Sequence, residues 1–418
     1  MNTPTPTRRT LLRAALSGLA LLPMARLSFA APRPGLGGPA GGRVVWILLR
    51  GGLDGLWAVP APGDPTFVEA RGALGTYAQA PLKLDTTFAL HPALTAAHAL
   101  FTARQLAVVH AVSSPYRERS HFDAQQVLES GGTRPFALDT GWLGRAVQRA
   151  TRRAVALAPA APLSLRGARE VETWSPSLLD GPDDDLIVRL ARIYAGDPML
   201  AEALGQARRE LQRAQAAQLA EADAMGAEPE AVGAMAGDAQ ARKRAALRGD
   251  PVVLAERCVE FFETAEGPTV AMLELSGWDS HAQQAAENGR LTRNLKALDA
   301  TLGALATGLG DRLDETVVVV ASEFGRAVRT NGTLGTDHGT GGVCLVMGGG
   351  VRGGRVYGDW PGLAPPALYE GRDLKPTTDL RAVLKAALQR QLGLTRAALD
   401  TEVFPESGAV APLAELFG

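Results

Sequence analysis

Three of the six histidines in this 418-residue chain lie in short polar segments rich in acids and glycines, and the other three, His91, His98 and His110, do not. The segments read Arg50-Gly-Gly-Leu-Asp-Gly55, Arg117-Glu-Arg-Ser-His-Phe-Asp123, Ser276-Gly-Trp-Asp-Ser-His281, Ser322-Glu-Phe-Gly-Arg326 and, shortly after the last, Gly335-Thr-Asp-His-Gly-Thr-Gly-Gly342. A convergent set of Asp279, His281 and His338 with additional carboxylates is the nitrogen and oxygen donor set of a borderline divalent metal. Each residue also has a plainer reading. Asp54 suits a turn rich in glycine, and Ser120 suits the N-cap of a helix. Asp279 and His281 suit a turn, and His338 can be a histidine whose tautomer is fixed by the adjacent Asp337. What favours metal chemistry is that these side chains gather at one kind of place.

That place is the end of a predicted strand, where ligands bind in open α/β sheets. The strand-like runs are Val44–Leu49, Leu106–Ala111, Thr269–Leu275, Thr316–Ala321 and Val343–Met347. They are apolar on both faces, as strands covered by helices on both sides must be. Leu291, Leu295, Leu298, Leu302 and Leu305 recur at three- and four-residue spacing and predict an amphipathic helix over 291–309. Thr377-Thr-Asp379 caps a further helix over 380–392. Residues 183–263 hold no strand signal and are rich in Ala, Glu, Arg and Gln, with a break at Gly226–Gly237. The expected fold is therefore an α/β sandwich with a largely parallel central sheet between helices, formed by residues 31–418 as one domain with a helical insertion at about 183–263. Gly348-Gly-Gly-Val-Arg-Gly353 matches G-x-G-x-x-G, but the residues after it cannot open a helix, so it is no dinucleotide fingerprint. A phosphate loop, a His-Glu-x-x-His pair and a G-x-S-x-G elbow are all missing from the sequence.

The first 30 residues read as an export signal: Arg8 and Arg9, an apolar stretch from Ala14 to Met24, then Ser28-Phe-Ala30 before a cleavage point. Paired arginines ahead of a weakly apolar segment fit the twin-arginine translocase, which carries folded proteins and would be a partner during export. Cleavage would remove Arg8, Arg9, Arg13 and Arg26 and no acids, leaving 39 basic against 44 acidic side chains. That balance argues against general nucleic-acid binding. No later apolar run is long enough to span a bilayer, so a periplasmic or secreted protein is expected. Cys258 and Cys344 are the only cysteines; one bridge is open to them, and two buried thiols is the favoured reading.

Taken together, the paired arginines, Leu49-Arg-Gly-Gly-Leu-Asp-Gly55, Arg119-Ser-His-Phe-Asp123, Gly141-Trp-Leu-Gly-Arg145, Gly277-Trp-Asp-Ser-His281, Ser322-Glu-Phe-Gly-Arg326 and Gly335-Thr-Asp-His-Gly339 resemble the exported bacterial domain of unknown function 1501 family. That family in turn resembles a branch of the alkaline phosphatase and sulfatase superfamily. The resemblance implies an alkaline phosphatase-like fold and two divalent metal ions (Zn, Mn, Mg or Ca) at the strand ends. It makes Asp54 a metal aspartate and Ser120 the nucleophile, with Asp279, His281 and His338 completing one metal site. Glu323 would replace an aspartate, Phe324 would stand where a ligand histidine is usual, and Asp337 would be an extra or supporting ligand. The second site would keep only Asp54, Glu323 and Ser120 unless His121 or Asp337 turns in, with Arg326 or Arg119 neutralising charge. The implied function is metal-dependent hydrolysis of a small phosphate or sulfate ester. The alternatives are a non-catalytic metal-binding protein in an exported or surface complex with a protein partner, and a structural protein whose histidines only make hydrogen bonds.

Overall fold

The structure, a computed structural model, describes residues 41–175, residues 184–208 apart from four positions, and residues 250–417 apart from 265, 287 and 288. The expected export signal and the middle of the expected insertion lie outside the described residues. The strands are β1 (Arg43–Arg50), β2 (Leu82–Lys83), β3 (Ala89–Leu90), β4 (Leu106–Ser113), β5 (Ala154–Ala156), β6 (Val171–Thr173), β7 (Val270–Ser276), β8 (Thr316–Ser322), β9 (Gly342–Gly348), β10 (Val356–Tyr357) and β11 (Thr378–Asp379). β2 and β3 pair as a separate hairpin. The others form a nine-stranded sheet in the order β10-β4-β9-β8-β1-β7-β5-β6, with β11 also on β4. The five strand runs expected from the sequence are the five long strands, and the short edge strands were not foreseen because two or three residues carry no period to read.

Within the nine-stranded sheet every pairing is parallel except those of β9, which runs antiparallel to both β4 and β8. This one reversal matters for the site. A parallel β9 would start at the far edge of the sheet, whereas the antiparallel β9 starts beside the carboxyl ends of β1, β4, β7 and β8. The segment that leads into it, with Asp337 and His338, therefore reaches the same edge as the other polar segments. The register keeps those ends level: Arg50 of β1 faces Ser276 of β7, and Leu49 faces Ser322 of β8.

Alternate side chains of β1 enter two separate cores. Val45, Ile47 and Leu49 pack under the helices Thr95–Thr102, Pro251–Glu263 and Arg290–Leu309, the last of which presents its five expected leucines. Val44, Trp46 and Leu48 pack under the helices Trp142–Ala150 and Leu380–Leu392. Trp46 meets Trp142 edge to face at 5.5 Å. Burying a side chain of such size contributes roughly 1.5–3 kcal/mol, so both faces anchor the sheet. The helix Pro251–Glu263 falls at the end of the expected insertion, yet it belongs to this framework because Leu254, Ala255, Cys258, Val259 and Phe262 face the sheet. Cys258 and Cys344 are buried, free thiols in opposite cores. Asp379 caps the helix Leu380–Leu392 by accepting from Arg381 N–H, and the glycine-rich run after β9 leads to β10 and not to a helix. Among the described residues no helix is long and apolar enough to cross a membrane.

Candidate metal centre

Four loops, after β1, β4, β7 and β8, bring the five polar segments to the carboxyl edge of the sheet, and glycines allow them to approach. A Cβ on Gly335 would lie 2.1 Å from the carbonyl carbon of His281, and one on Gly339 would lie 2.3 Å from that of Arg326. Backbone therefore replaces side chain on both sides of His338, which pairs with Arg326 in an isolated antiparallel bridge. The run of glycines around this histidine is a packing requirement as well as a turn.

The imidazoles of His121, His281 and His338 and the carboxylate of Asp279 converge. His338 Nε2 lies 3.0 Å from His121 Nε2 and 3.0 Å from His281 Nε2. Asp279 Oδ1 is 2.8 Å from His281 Nε2 and 3.3 Å from His338 Nε2, and its Oδ2 is 3.5 Å from His121 Nε2. Among the described residues, His121, Asp279 and His338 are a set whose ligand atoms all lie within 4.8 Å of one another. A tetrahedral zinc site with bonds of about 2.0–2.1 Å has ligand-to-ligand edges of roughly 3.3 Å, close to these separations.

The far side of each ring is held. His121 Nδ1 donates to Glu323 Oε1 at 2.7 Å, His338 Nδ1 donates to the carbonyl of Arg119 at 3.0 Å, and His281 Nδ1 lies 3.5 Å from Asp337. With both Nδ1 atoms protonated, neutral His121 and His338 present two lone pairs to each other at 3.0 Å. Only a proton or a cation between or beside them makes that arrangement favourable. Carboxylate or carbonyl partners on the outer nitrogen are what orient histidine ligands in metal sites. The hydrogen bond to Glu323 raises the pKa of His121, while burial and the neighbouring His121 charge lower that of His338. Burial pushes Asp279 and Glu323 upward, but hydrogen bonds outweigh it in both, from Arg326 to the first and from His121, the backbone, Gln125 and Ser322 to the second. Both stay below the usual carboxylate range. The Asn331 hydrogen bond likewise lowers Asp337.

The other residues singled out in the sequence take different places. Asp54 is buried and engaged: its Oδ2 accepts from Arg71 at 2.6 Å and Gln284 at 2.5 Å, and its Oδ1 accepts from Trp57 N–H. Glu323 is fully buried behind His121, accepting also from Gly51 N–H and Gln125. It supports the cluster from outside it. Ser120 caps the helix His121–Ser130, its hydroxyl accepting from Asp123 N–H at 3.5 Å. Arg326 is 2% exposed, and its guanidinium donates to the carbonyls of Gly51, Gly52, Trp278 and Thr336 as well as to Asp279. Arg119 is paired with Asp373 and Glu370. Arg326 is buried and fully engaged, whereas Arg119 keeps its Nη1 unbonded. Sequence reasoning ranked His121 below Asp54 and Glu323, although its position directly after a capping serine was the available signal: the first residue of a helix projects from the same edge that the strand ends occupy.

The fold and these side chains define an α/β protein with a cluster of three histidines and one aspartate at the edge of a mixed sheet, in which His121, Asp279 and His338 are the set placed to share an ion. The chain belongs to the family described as protein of unknown function (DUF1501), which matches residues 82–404. A comparison with curated proteins finds no match. Among solved structures, the chain is similar to the PsFucS1 sulfatase from Pseudoalteromonas sp., at 12% identity over 90% of this chain and 73% of that one, with a TM-score of 0.43. It is also similar to the zinc complex of the C-terminal periplasmic domain of EcEptC from Escherichia coli (9%, 74% and 74%, TM-score 0.37). A third is a protein in the alkaline phosphatase superfamily from Vibrio parahaemolyticus (11%, 75% and 62%, TM-score 0.32).

Proposed function

We propose that the chain is a metal-dependent hydrolase of esters built around one divalent cation held by His121, His281, His338 and Asp279. The observation that carries this reading is the 3.0 Å approach of the His121 and His338 Nε2 atoms while both Nδ1 atoms are tied to acceptors. Three imidazoles and one carboxylate suit zinc or a neighbouring transition ion better than magnesium or calcium, which prefer all-oxygen sets. Of the features implied by the superfamily resemblance, the geometry supports one cation. Asp54 is occupied by Arg71, and Ser120 has a capping role that accounts for it.

A divalent cation held by these residues would supply Lewis-acid chemistry toward a bound ester. The chain's own residues would hold it in place and orient its ligands. Glu323 and the Arg119 carbonyl fix the tautomers of His121 and His338, so that Nε2 of each faces the centre. Arg326 holds Asp279 from the buried side. His281, 45% exposed at its side chain, faces solvent, and its Nδ1 lies 3.5 Å from Asp337 Oδ1, which orients the ring from outside.

The test is metal analysis and an ester panel (aryl phosphate, sulfate and carboxylic esters) on protein exported by its own route. The expected result is about one bound ion per chain and turnover of an ester that a chelator abolishes and added metal restores. Ser120→Ala is expected to cost about 1 kcal/mol of stability, as loss of a cap does, and to keep that turnover. Metal-loaded protein inactive on every ester would leave the non-catalytic metal-binding reading in its place, and loss of turnover with full metal content in Ser120→Ala would restore the serine as nucleophile. We place the mature protein in the periplasm or outside the cell, exported by the twin-arginine route; what supports this is the Arg8-Arg9 leader and a centre that is best filled before transport of the folded chain.

A further inference from the structure

Arg119 precedes the serine that caps the helix His121–Ser130, and its carbonyl accepts from His338 Nδ1 at 3.0 Å. One residue thus lies on the approach to His121 and against the ring of His338. Its backbone is held at φ 64°, a left-handed conformation that a residue carrying a Cβ rarely adopts. Such strain persists only where the surroundings over-determine it, and here the restraint is the side chain of the same residue. Arg119 Nε donates to Asp373 Oδ2 at 2.7 Å and Nη2 donates to Glu370 Oε2 at 2.5 Å. Its guanidinium carbon lies 6.0 Å from the centroid of the Tyr369 ring. Asp373 is fully buried, its other oxygen accepts from Arg372 at 2.9 Å, and its backbone exchanges hydrogen bonds with that of Tyr369. Asp373 also pairs with Ala327 in an isolated antiparallel bridge, and the neighbouring Arg326 pairs in the same way with His338. The connections close a ring: from His338 to Arg326 and Ala327, across to Asp373, through the guanidinium to Arg119, and by the Arg119 carbonyl back to the imidazole of His338.

Resting on the metal-centre reading above, we propose that Arg119 is a positioning residue of the centre: its guanidinium, anchored on Asp373 and Glu370, keeps its own backbone left-handed, and that backbone aims the carbonyl that fixes the His338 ring. Residues 369–373 then support the centre although they supply none of its ligands. The test compares Arg119→Ala with Arg119→Gly in the full-length mature protein. Both remove the guanidinium, but only glycine adopts the left-handed φ without strain. Zinc affinity, measured by competition with a chromophoric chelator, is expected to fall by about tenfold or more in Arg119→Ala and to stay about threefold or more tighter in Arg119→Gly than in Arg119→Ala. Nitrogen-15 spectra of the metal-free protein at about pH 8, where histidine is neutral, give a readout without metal: His338 is expected as the Nδ1–H tautomer in the wild type and mainly so in Arg119→Gly, and as a mixture in Arg119→Ala. Arg119→Lys, the variant least disturbing to folding, reaches one carboxylate at a time and is expected to lose about threefold in zinc affinity, with a mixed tautomer. Equal effects of glycine and alanine would mean that Arg119 acts only as a charge, toward an anion or its ion pairs, and overturn the proposal. So would wild-type affinity and tautomer in Arg119→Lys, even if Arg119→Ala failed to fold. Protein that binds no zinc yet keeps the tautomer order counts against the metal centre and leaves the action of Arg119 on His338 supported.

Discussion

Glu323 shows how one buried side chain can govern a centre it does not enter. It accepts from His121 Nδ1 at 2.7 Å and is fixed by Gly51 N–H and Gln125. Glu323→Gln is expected to weaken metal binding by about 10- to 100-fold, the usual cost of removing an outer partner of a ligand histidine, with metal titration as the measurement. The pH dependence has a definite sign. A proton and a metal would compete for Nε2 of His121, and the Glu323 hydrogen bond raises its pKa, so affinity is expected to fall as pH drops through that raised value and to recover above it. In Glu323→Gln the fall is expected to shift to lower pH, even though the plateau affinity is lower; an unshifted profile would mean that Glu323 does not set the protonation of His121.

At the scale of elements, the centre depends on how closely loops from distant strands can be stacked. The bridge between Arg326 and His338 and the contact of Gly335 with the His281 backbone hold the β9 approach against the loops after β7 and β8. Gly335→Ala puts a Cβ 2.1 Å from a backbone carbon that cannot move alone. It is expected to lower the unfolding midpoint and reduce metal affinity by about tenfold or more, since ligands on separate loops lose their common geometry. Wild-type metal affinity and thermal midpoint in this variant would show that the loops do not need this approach. The buried Asp54–Arg71 pair has a different weight. With side chains 2% and 0% exposed, it braces the loop after β1, and removing one partner would strand the other charge.

At the scale of the whole molecule, two histidines away from the centre set its tolerance of acid. His110 is 1% exposed; its Nε2 donates to the Val59 carbonyl while its Nδ1 accepts from Ala111 N–H. His91 Nδ1 accepts from Ala93 N–H. Protonation would place a second donor against each amide, and burial pushes both pKa values down to about 4. The unfolded histidines titrate near ~6.5, so stability from these groups is complete above that pH. It declines as pH falls toward 4, because the unfolded chain binds protons that the fold excludes. Denaturant midpoints measured between pH 7 and 4 are expected to fall with two protons' worth of slope from these residues, and His110→Gln is expected to remove one of them. Export also acts on the whole chain: Arg8→Lys with Arg9→Lys is expected to leave folded precursor in the cytoplasm, which fractionation checks, and undiminished export would rule out the twin-arginine route.

Composition and periodicity alone determined the five long strands, the helices at 291–309 and 380–392 and the α/β layering, because long apolar runs and leucine spacing are local consequences of which face is buried. Residue type also marked the polar strand ends as the place for chemistry, and singled out Asp279, His281 and His338 there. Which of those side chains meet was decided only by the tertiary structure. The antiparallel entry of β9 brought His338 to the shared edge, the helix after Ser120 turned His121 inward, and Arg71 claimed Asp54. The approach of His121 to His338 joins residues 217 positions apart, where a shift of strand direction or a single long side chain changes the partner. Local sequence carries no record of such pairings, because the energy that selects them comes from burying ends of strands against one another and not from any one segment's own preference.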